Sequence, residues 1–215
     1  MTQSYFVIGT DTNVGKTYVA SALVKHFAAQ ALKTVGMKPV ASGCELNDKN
    51  ELVNEDVTAL ISASNINTEL DLINPYRFAP AIAPHIAAEQ AGVEIDLVVI
   101  ARAYEKLKNL AEVVIVEGAG GFCVPLNNTE TLADLAVQLN IPMILVVGMR
   151  LGCINHALLT VEAIQARGLK LAGWVANEIE PNFSMFDENL VSLQQRITAP
   201  CLSVVKWESS AQFKF

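Results

Sequence analysis

The stretch Tyr5-Phe6-Val7-Ile8-Gly9-Thr10-Asp11-Thr12-Asn13-Val14-Gly15-Lys16-Thr17 runs an apolar strand into a glycine-bearing turn and then into Gly-Lys-Thr. In such a turn backbone N–H groups point at an anion and the following helix adds its positive N-terminal end. The lysine meets the β- and γ-phosphates, and the threonine hydroxyl is a ligand for Mg²⁺. The usual spacing puts four residues between the glycines, whereas five separate Gly9 from Gly15, so Thr10 takes the first-glycine position. Val19, Ala20, Leu23, Val24, Phe27 and Ala28 then fall on one helical face, which supplies the strand-loop-helix setting the motif requires. A nucleoside triphosphate is the first ligand to expect.

The rest of the chain agrees with a nucleotide-binding α/β protein. Its 215 residues are 52% hydrophobic and only 7% aromatic, a composition that suits a parallel sheet buried under helices on both faces. The net charge of −7 argues against a surface that binds nucleic acid or anionic lipid, so small-molecule partners are expected. Cys44, Cys123, Cys153 and Cys201 form no C-x-x-C pair and read as free thiols rather than a zinc or redox site. No signal segment precedes the first strand, and the apolar run Ile141 to Val147 is too short to cross a bilayer, which predicts a cytoplasmic protein.

Strands are expected at Tyr5–Ile8, Val35–Val40, Val113–Val116, Met143–Val147, Leu171–Ala176 and Cys201–Val205. Helices are expected at Lys16–Ala31, Asp56–Ala63, Ile95–Leu110, Leu132–Leu139, Asn155–Ala166 and Met185–Ile197. This alternation predicts one domain over 1–215, a P-loop NTPase-like fold with a mainly parallel β-sheet and helices on both faces. Two stretches interrupt the rhythm: polar Cys44–Glu55, read as an exposed loop, and Asn74–Pro84, whose three prolines forbid a regular helix or central strand. The loops after the second, third, fourth and fifth strands should open on the ligand crevice at the carboxyl edge of the sheet.

Those loops carry the candidate chemistry. Lys38, with Ser42 and Gly43 after it, stands at the same sheet edge as Lys16; it is either a solvated strand-end lysine or a second ammonium for one phosphoryl group. Glu117 follows four β-branched residues, and a carboxylate there is costly unless it meets something positive. Mg²⁺ answers this with few protein oxygens, for which Thr17, Glu117 and Asp56 suffice; Asp56 reads equally as an ordinary acid in the first turn of a helix. Gly118, Ala119, Gly120 and Gly121 either let backbone approach a ligand or shape a turn. The segment Gly152-Cys153-Ile154-Asn155 opens a helix whose free N–H groups are a second candidate anion site, or which asparagine merely caps. His26, His85 and His156 have no acid–base partner visible by spacing.

Together, GTDTNVGKT (9–17), KPVASG (38–43), NED (54–56), NPYRF (74–78), APHIAA (83–88), VEGAGG (116–121), LGCINHA (151–157) and GWVAN (173–177) resemble the dethiobiotin synthetases, over most of the chain. The resemblance implies a homodimeric ligase that joins CO₂ to the diamine 7,8-diaminononanoate with ATP and Mg²⁺, through a carbamate and its phosphoric anhydride. It implies that Lys16 and Lys38 stabilise the phosphoryl and carbamate charge. Thr17, Asp56 and Glu117 would hold Mg²⁺, and Asn13, Val14, Gly15, Tyr18, Gly118, Ala119 and Gly120 would join them and Lys16 in binding ATP. Ser42 would touch the diamine, and Gly152 to Asn155 would receive its carboxylate from the neighbouring subunit. Asn177, Glu178, Lys206, Trp207 and Glu208 would form the adenine site. Two residues depart from the pattern: Asn13 stands where an acid is frequent, and Lys206 precedes Trp207 where proline is usual. Partitioning ATPases of related fold carry a signature lysine where Asp11 stands here, and Val175-Ala176-Asn177-Glu178 lacks the guanine-reading Asn-Lys-x-Asp.

Overall fold

In the computed structural model, residues 2–48, 50–181 and 183–215 are described. The chain begins with β1 (Gln3–Gly9), α1 (Lys16–Ala28), β2 (Thr34–Met37), β3 (Val40–Ser42), β4 (Glu45–Leu46) and β5 (Leu52–Val53). Next come α2 (Glu55–Ala63), α3 (Leu70–Ile73), β6 (Tyr76–Phe78), α4 (Pro84–Gln90), α5 (Leu97–Leu110) and β7 (Val113–Gly121). It closes with α6 (Leu132–Leu139), β8 (Met143–Met149), α7 (Cys153–Ala166), β9 (Leu171–Glu178), α8 (Phe186–Arg196) and β10 (Cys201–Val205).

Six strands form a central sheet in the order β10-β9-β8-β1-β7-β2, and every neighbouring pair is parallel. Successive side chains of a strand point to opposite faces, and the two cores follow that alternation. Phe6 and Ile8 of β1 pack with α5, α6, α7 and α8 on one face, while Val7 packs with α1 and α2 on the other. Strand β1 lies between β7 and β8, so the glycine-bearing turn at its carboxyl end opens at the middle of the sheet edge, where an open α/β sheet forms its crevice.

All six predicted strands and all six predicted helices are present; Leu132–Leu139 and Cys201–Val205 keep the predicted ends and the others shift. The strand expected through Val40 stops at Met37 because Pro39 has no N–H to continue a ladder. The chain then leaves the central sheet, and β3 pairs instead with β6 in a separate parallel ribbon. The 44–55 stretch is more ordered than a plain loop: β4 and β5 make a small antiparallel hairpin and Cys44 is buried. The proline-rich 74–84 segment supplies β6 outside the main sheet, then Pro84 at the first turn of α4, a position where its missing N–H costs nothing. All four cysteines are free. Among the described residues, no helix is long and apolar enough to cross a membrane.

Candidate active site

The phosphate-loop turn is built on two left-handed residues, Asn13 (φ 58°) and Gly15 (φ 88°). Asparagine, like aspartate, enters that region more readily than most side chains, so Asn13 keeps the turn's backbone without the charge of an acid. A Cβ on Gly15 would collide with the side-chain amide of Asn177. That amide donates to the Val14 carbonyl (2.9 Å) and ties the turn to the end of β9. Gly15 caps α1 without a side chain, and no acid occupies the first turn, so the positive end of the helix stays open to an anion. The ammonium of Lys16 curls back to donate to the Asp11 carbonyl (2.9 Å), and the Asp11 carboxylate pairs with Arg150 at 2.7 Å.

Lys38 follows the last residue of β2 and its backbone is pinned on both sides. Its N–H donates to Ile73 O (2.8 Å), and the buried Asn74 amide donates to its carbonyl (2.6 Å). The side chain is buried, with its ammonium 2.6 Å from Glu117 Oε1, 2.8 Å from Asp56 Oδ2 and 3.3 Å from Gly118 O. The Thr17 hydroxyl lies 2.6 Å from Asp56 Oδ1 and 2.8 Å from Glu117 Oε1; with one proton, it donates to one carboxylate at a time. Asn54 caps α2 through the Asp56 N–H, which fixes Asp56 in the first turn with its carboxylate turned to Thr17 and Lys38. Asp56 is therefore a helix N-terminal acid and a member of the cluster at once.

The charges in this cluster oppose one another strongly. Burial, and then the nearby ammonium of Lys38, bring the Lys16 pKa down to about 8. Burial disfavours the Lys38 ammonium too, but attraction to Glu117 and Asp56 outweighs it and raises that pKa. The Asp56 carboxyl is likewise opposed by burial, yet Lys38's charge and hydrogen bond hold its pKa below the usual value. Oε2 of the fully buried Glu117 has no hydrogen-bond partner among the described residues. No group of three or more His, Cys, Asp or Glu side chains could hold a metal among them. The oxygens of Thr17, Asp56 and Glu117 nonetheless fit Mg²⁺, which needs only one or two carboxylates when phosphate and water complete its shell.

One cavity of about 880 Å³ gathers the site. Its lining includes Asn13, Gly15, Lys16, Thr17, Lys38, Ser42, Asp56, Glu117, Ala119 and Gly120, all predicted from sequence. The Ser42 hydroxyl is buried without a hydrogen-bond partner among the described residues. Val14 and Gly118 support the cavity through their backbones and do not line it. A second cavity of about 300 Å³ is lined by Tyr18, Asn177, Glu178, Lys206 and Glu208, and Trp207 joins that region through its N–H, which donates to Glu178 (3.0 Å). Gly152, Cys153, Ile154 and Asn155 lie in neither cavity. Helix α7 starts at Cys153, with left-handed Gly152 as its cap and no side-chain cap bond, so the asparagine-cap alternative falls: Asn155 lies inside the first turn. Sequence reasoning missed the wall formed by Val40, Ala81, Ile82, Ala83, Pro84 and Val124, and also missed Asn74 as the anchor of Lys38. The Asn-Pro step at 74–75 was the available signal for the anchor.

A family model described as an AAA domain matches residues 3–213. The ATP-dependent dethiobiotin synthetase BioD of Nitrosospira multiformis is 52% identical over 210 residues, covering 98% of this chain and 91% of that protein. That of Aromatoleum aromaticum is 54% identical over 203 residues, covering 94% and 90%. Among solved structures, the septum site-determining protein MinD complexed with Mg-ADP from Pyrococcus horikoshii superposes with a TM-score of 0.61 at 15% identity, covering 96% of this chain and 82% of that one. The signal recognition particle receptor FtsY from Elizabethkingia anophelis gives 0.57 at 15% identity, covering 100% and 63%. These two likenesses establish the P-loop NTPase-like fold alone, whereas identity near one half along almost the whole chain establishes more: the chain belongs to the ATP-dependent dethiobiotin synthetase family of ligases.

Proposed function

We propose that the protein, as one ATP-binding synthetase domain, closes the ureido ring of dethiobiotin in biotin synthesis from 7,8-diaminononanoate, CO₂ and ATP. The observation that carries this reading is the convergence of Lys16, Lys38, Thr17, Asp56, Glu117 and Ser42 on one cavity of about 880 Å³. One substrate amine adds to CO₂ and loses a proton, giving a carbamate. A carbamate oxygen displaces ADP from the γ-phosphorus, and the mixed anhydride that results is attacked at its carbonyl carbon by the second amine, which closes the ring and expels phosphate.

The protein's part is positioning and charge neutralisation, the main contribution available in phosphoryl transfer. Lys16 and the α1 N-terminus bind the phosphates, and Lys38 balances negative charge on the carbamate and on the transferring group. The Ser42 hydroxyl, without a partner among the described residues, orients the diamine. Thr17, Asp56 and Glu117 would hold Mg²⁺, which supplies Lewis-acid neutralisation of phosphate oxygens. Asn177, Glu178 and Lys206 to Glu208 receive the adenine. The resemblance supports a homodimer in the cytoplasm, in which the helix start at Gly152 to Asn155, outside this chain's own cavity, meets the substrate carboxylate of the neighbouring subunit.

Purified protein given ATP, Mg²⁺, diamine and ¹³C-labelled bicarbonate should release phosphate and carry the label into a ureido carbonyl. Phosphate release that continues unabated without the diamine, with no labelled ring, would replace this reading with a nucleotide-driven switch.

A further inference from the structure

The segment after β10 folds back over α1 and makes one wall of the 300 Å³ cavity with Lys206, Glu208, Ser209 and Ser210, facing Asn177 and Glu178. Separate fastenings hold that wall. Glu178 accepts the Trp207 N–H at one end. In the middle, the Tyr18 hydroxyl donates to Ser209 O (2.7 Å) and accepts from the Ala211 N–H (3.1 Å). At the far end, Phe215 lies 5.3 Å from Phe27 and 5.5 Å from Tyr5 between ring centroids, and Phe213 lies 5.7 Å from His26. Between those two rings, the Lys214 N–H donates to Leu202 O (3.0 Å). Tyr18 directly follows Thr17 on α1, so one helical turn presents the phosphate-loop hydroxyl and also holds the opposite wall of the base cavity.

We propose that Tyr18, Phe213 and Phe215 are positioning residues for base selection: the two phenylalanines fasten the segment to α1 and β1, and Tyr18 sets the height of the 209–211 turn over the purine of a nucleoside triphosphate. This rests on the nucleotide site described above. The phosphates are held by the loop and Lys16, which do not need this wall. Loosening the fastening therefore weakens recognition of the nucleoside part and spares the triphosphate part. Ring pairs at 5–6 Å contribute beyond their buried area, and the Tyr18 hydroxyl serves two backbone groups that water would otherwise have to satisfy.

The test is equilibrium binding of ATP, GTP and inorganic tripolyphosphate, each with Mg²⁺, to the wild type, Tyr18→Phe, the double variant F213A/F215A and the ring-preserving F213Y/F215Y. Tyr18→Phe and F213A/F215A should bind ATP about tenfold more weakly, as expected for one or two lost hydrogen bonds or ring contacts. Tripolyphosphate affinity should stay within about twofold, the preference for ATP over GTP should shrink, and F213Y/F215Y should match the wild type. For F213A/F215A, KM for ATP should rise while kcat at saturating ATP holds. Should that variant fail to fold, Tyr18→Phe carries the test. Unchanged ATP affinity in Tyr18→Phe, or equal losses for ATP and tripolyphosphate, would overturn the proposal. A wild type that binds neither ligand would instead overturn the nucleotide-site reading beneath it.

Discussion

Replacing Lys38 with alanine removes the ammonium that Asp56 and Glu117 share, and the structure separates the cost of the two pairs. The Asp56 side chain is 39% exposed, so its pair with Lys38 is partly screened and contributes at most about 1 kcal/mol. The Glu117 side chain is 0% exposed and Lys38's only 6%; removing one partner of such a buried pair costs about 3–5 kcal/mol, because the other charge is left without compensation. In a domain of this size each kcal/mol moves the melting temperature by about 2–4 °C. Lys38→Ala should therefore melt at least about 6 °C below the wild type at pH 7 in chelator. Adding Glu117→Gln should recover much of that loss, since the double variant leaves no buried carboxylate unpaired, and the two changes should be non-additive by about 1–3 kcal/mol. Mg²⁺ should restore more stability to Lys38→Ala than to the wild type, since the two acids then lack the ammonium that bonds to both of them. A single variant melting within about 1 °C of wild type, or a double variant as unstable as the sum of the singles, would refute an ionised Lys38–Glu117 pair in the folded protein.

The remaining expectations concern other parts of the molecule. Gly15→Ala forces a side chain into a φ of 88° and against Asn177, and ATP affinity should fall at least about tenfold, since left-handed strain and overpacking each cost about 1–3 kcal/mol; binding at wild-type strength would sink the account of the loop. Ser42→Ala should raise KM for the diamine about fivefold or more while KM for ATP stays put, as one lost neutral hydrogen bond to substrate implies; a shift in KM for ATP alone would move Ser42 to the nucleotide. The Thr131–Asp134 capping box at the start of α6 predicts that Thr131→Ala costs about 1 kcal/mol. The pKa of Asp134 is lowered chiefly by its bond from the Thr131 hydroxyl, so its stabilisation is present above the unfolded value and lost as pH falls through the folded one. The gap in urea midpoint between wild type and Asp134→Asn should accordingly narrow below about pH 4, and a gap that widened with acid would reverse the assignment.

Much of the fold was legible because its signals are local. The strand, turn and helix around Gly15-Lys16-Thr17 sit within one continuous stretch, and each strand of the central sheet is an apolar run bounded by turn residues. The grouping of Lys16, Thr17, Lys38 and Glu117 was readable for a related reason: parallel strands deliver their carboxyl ends to one edge, so residues at or just after strand ends meet; Asp56, in the first turn of α2, reads by itself equally as an ordinary helix N-terminal acid. What was not legible depends on contacts between distant segments. Nothing near Lys38 announces that Asn74 will hold its carbonyl, or that Pro39 will turn the chain into a ribbon with β6. The wall at Ala81 to Pro84 was visible only as proline-rich irregularity, and the packing of Phe213 and Phe215 on α1 has no periodic signature. Asn13 was read as a missing charge, whereas its left-handed backbone gives the residue a geometric use.

The central claim is that the ammonium groups of Lys16 and Lys38 and one divalent ion act on the same terminal phosphoryl group. A crystal structure with Mg²⁺, a non-hydrolysable ATP analogue and the diamine tests it most directly. The account predicts both lysine Nζ atoms within about 3 Å of γ-phosphate or carbamate oxygens, with Mg²⁺ bound by Thr17, Asp56 and Glu117. It is contradicted if Lys38 stays turned to the two carboxylates while the γ-phosphate is held elsewhere.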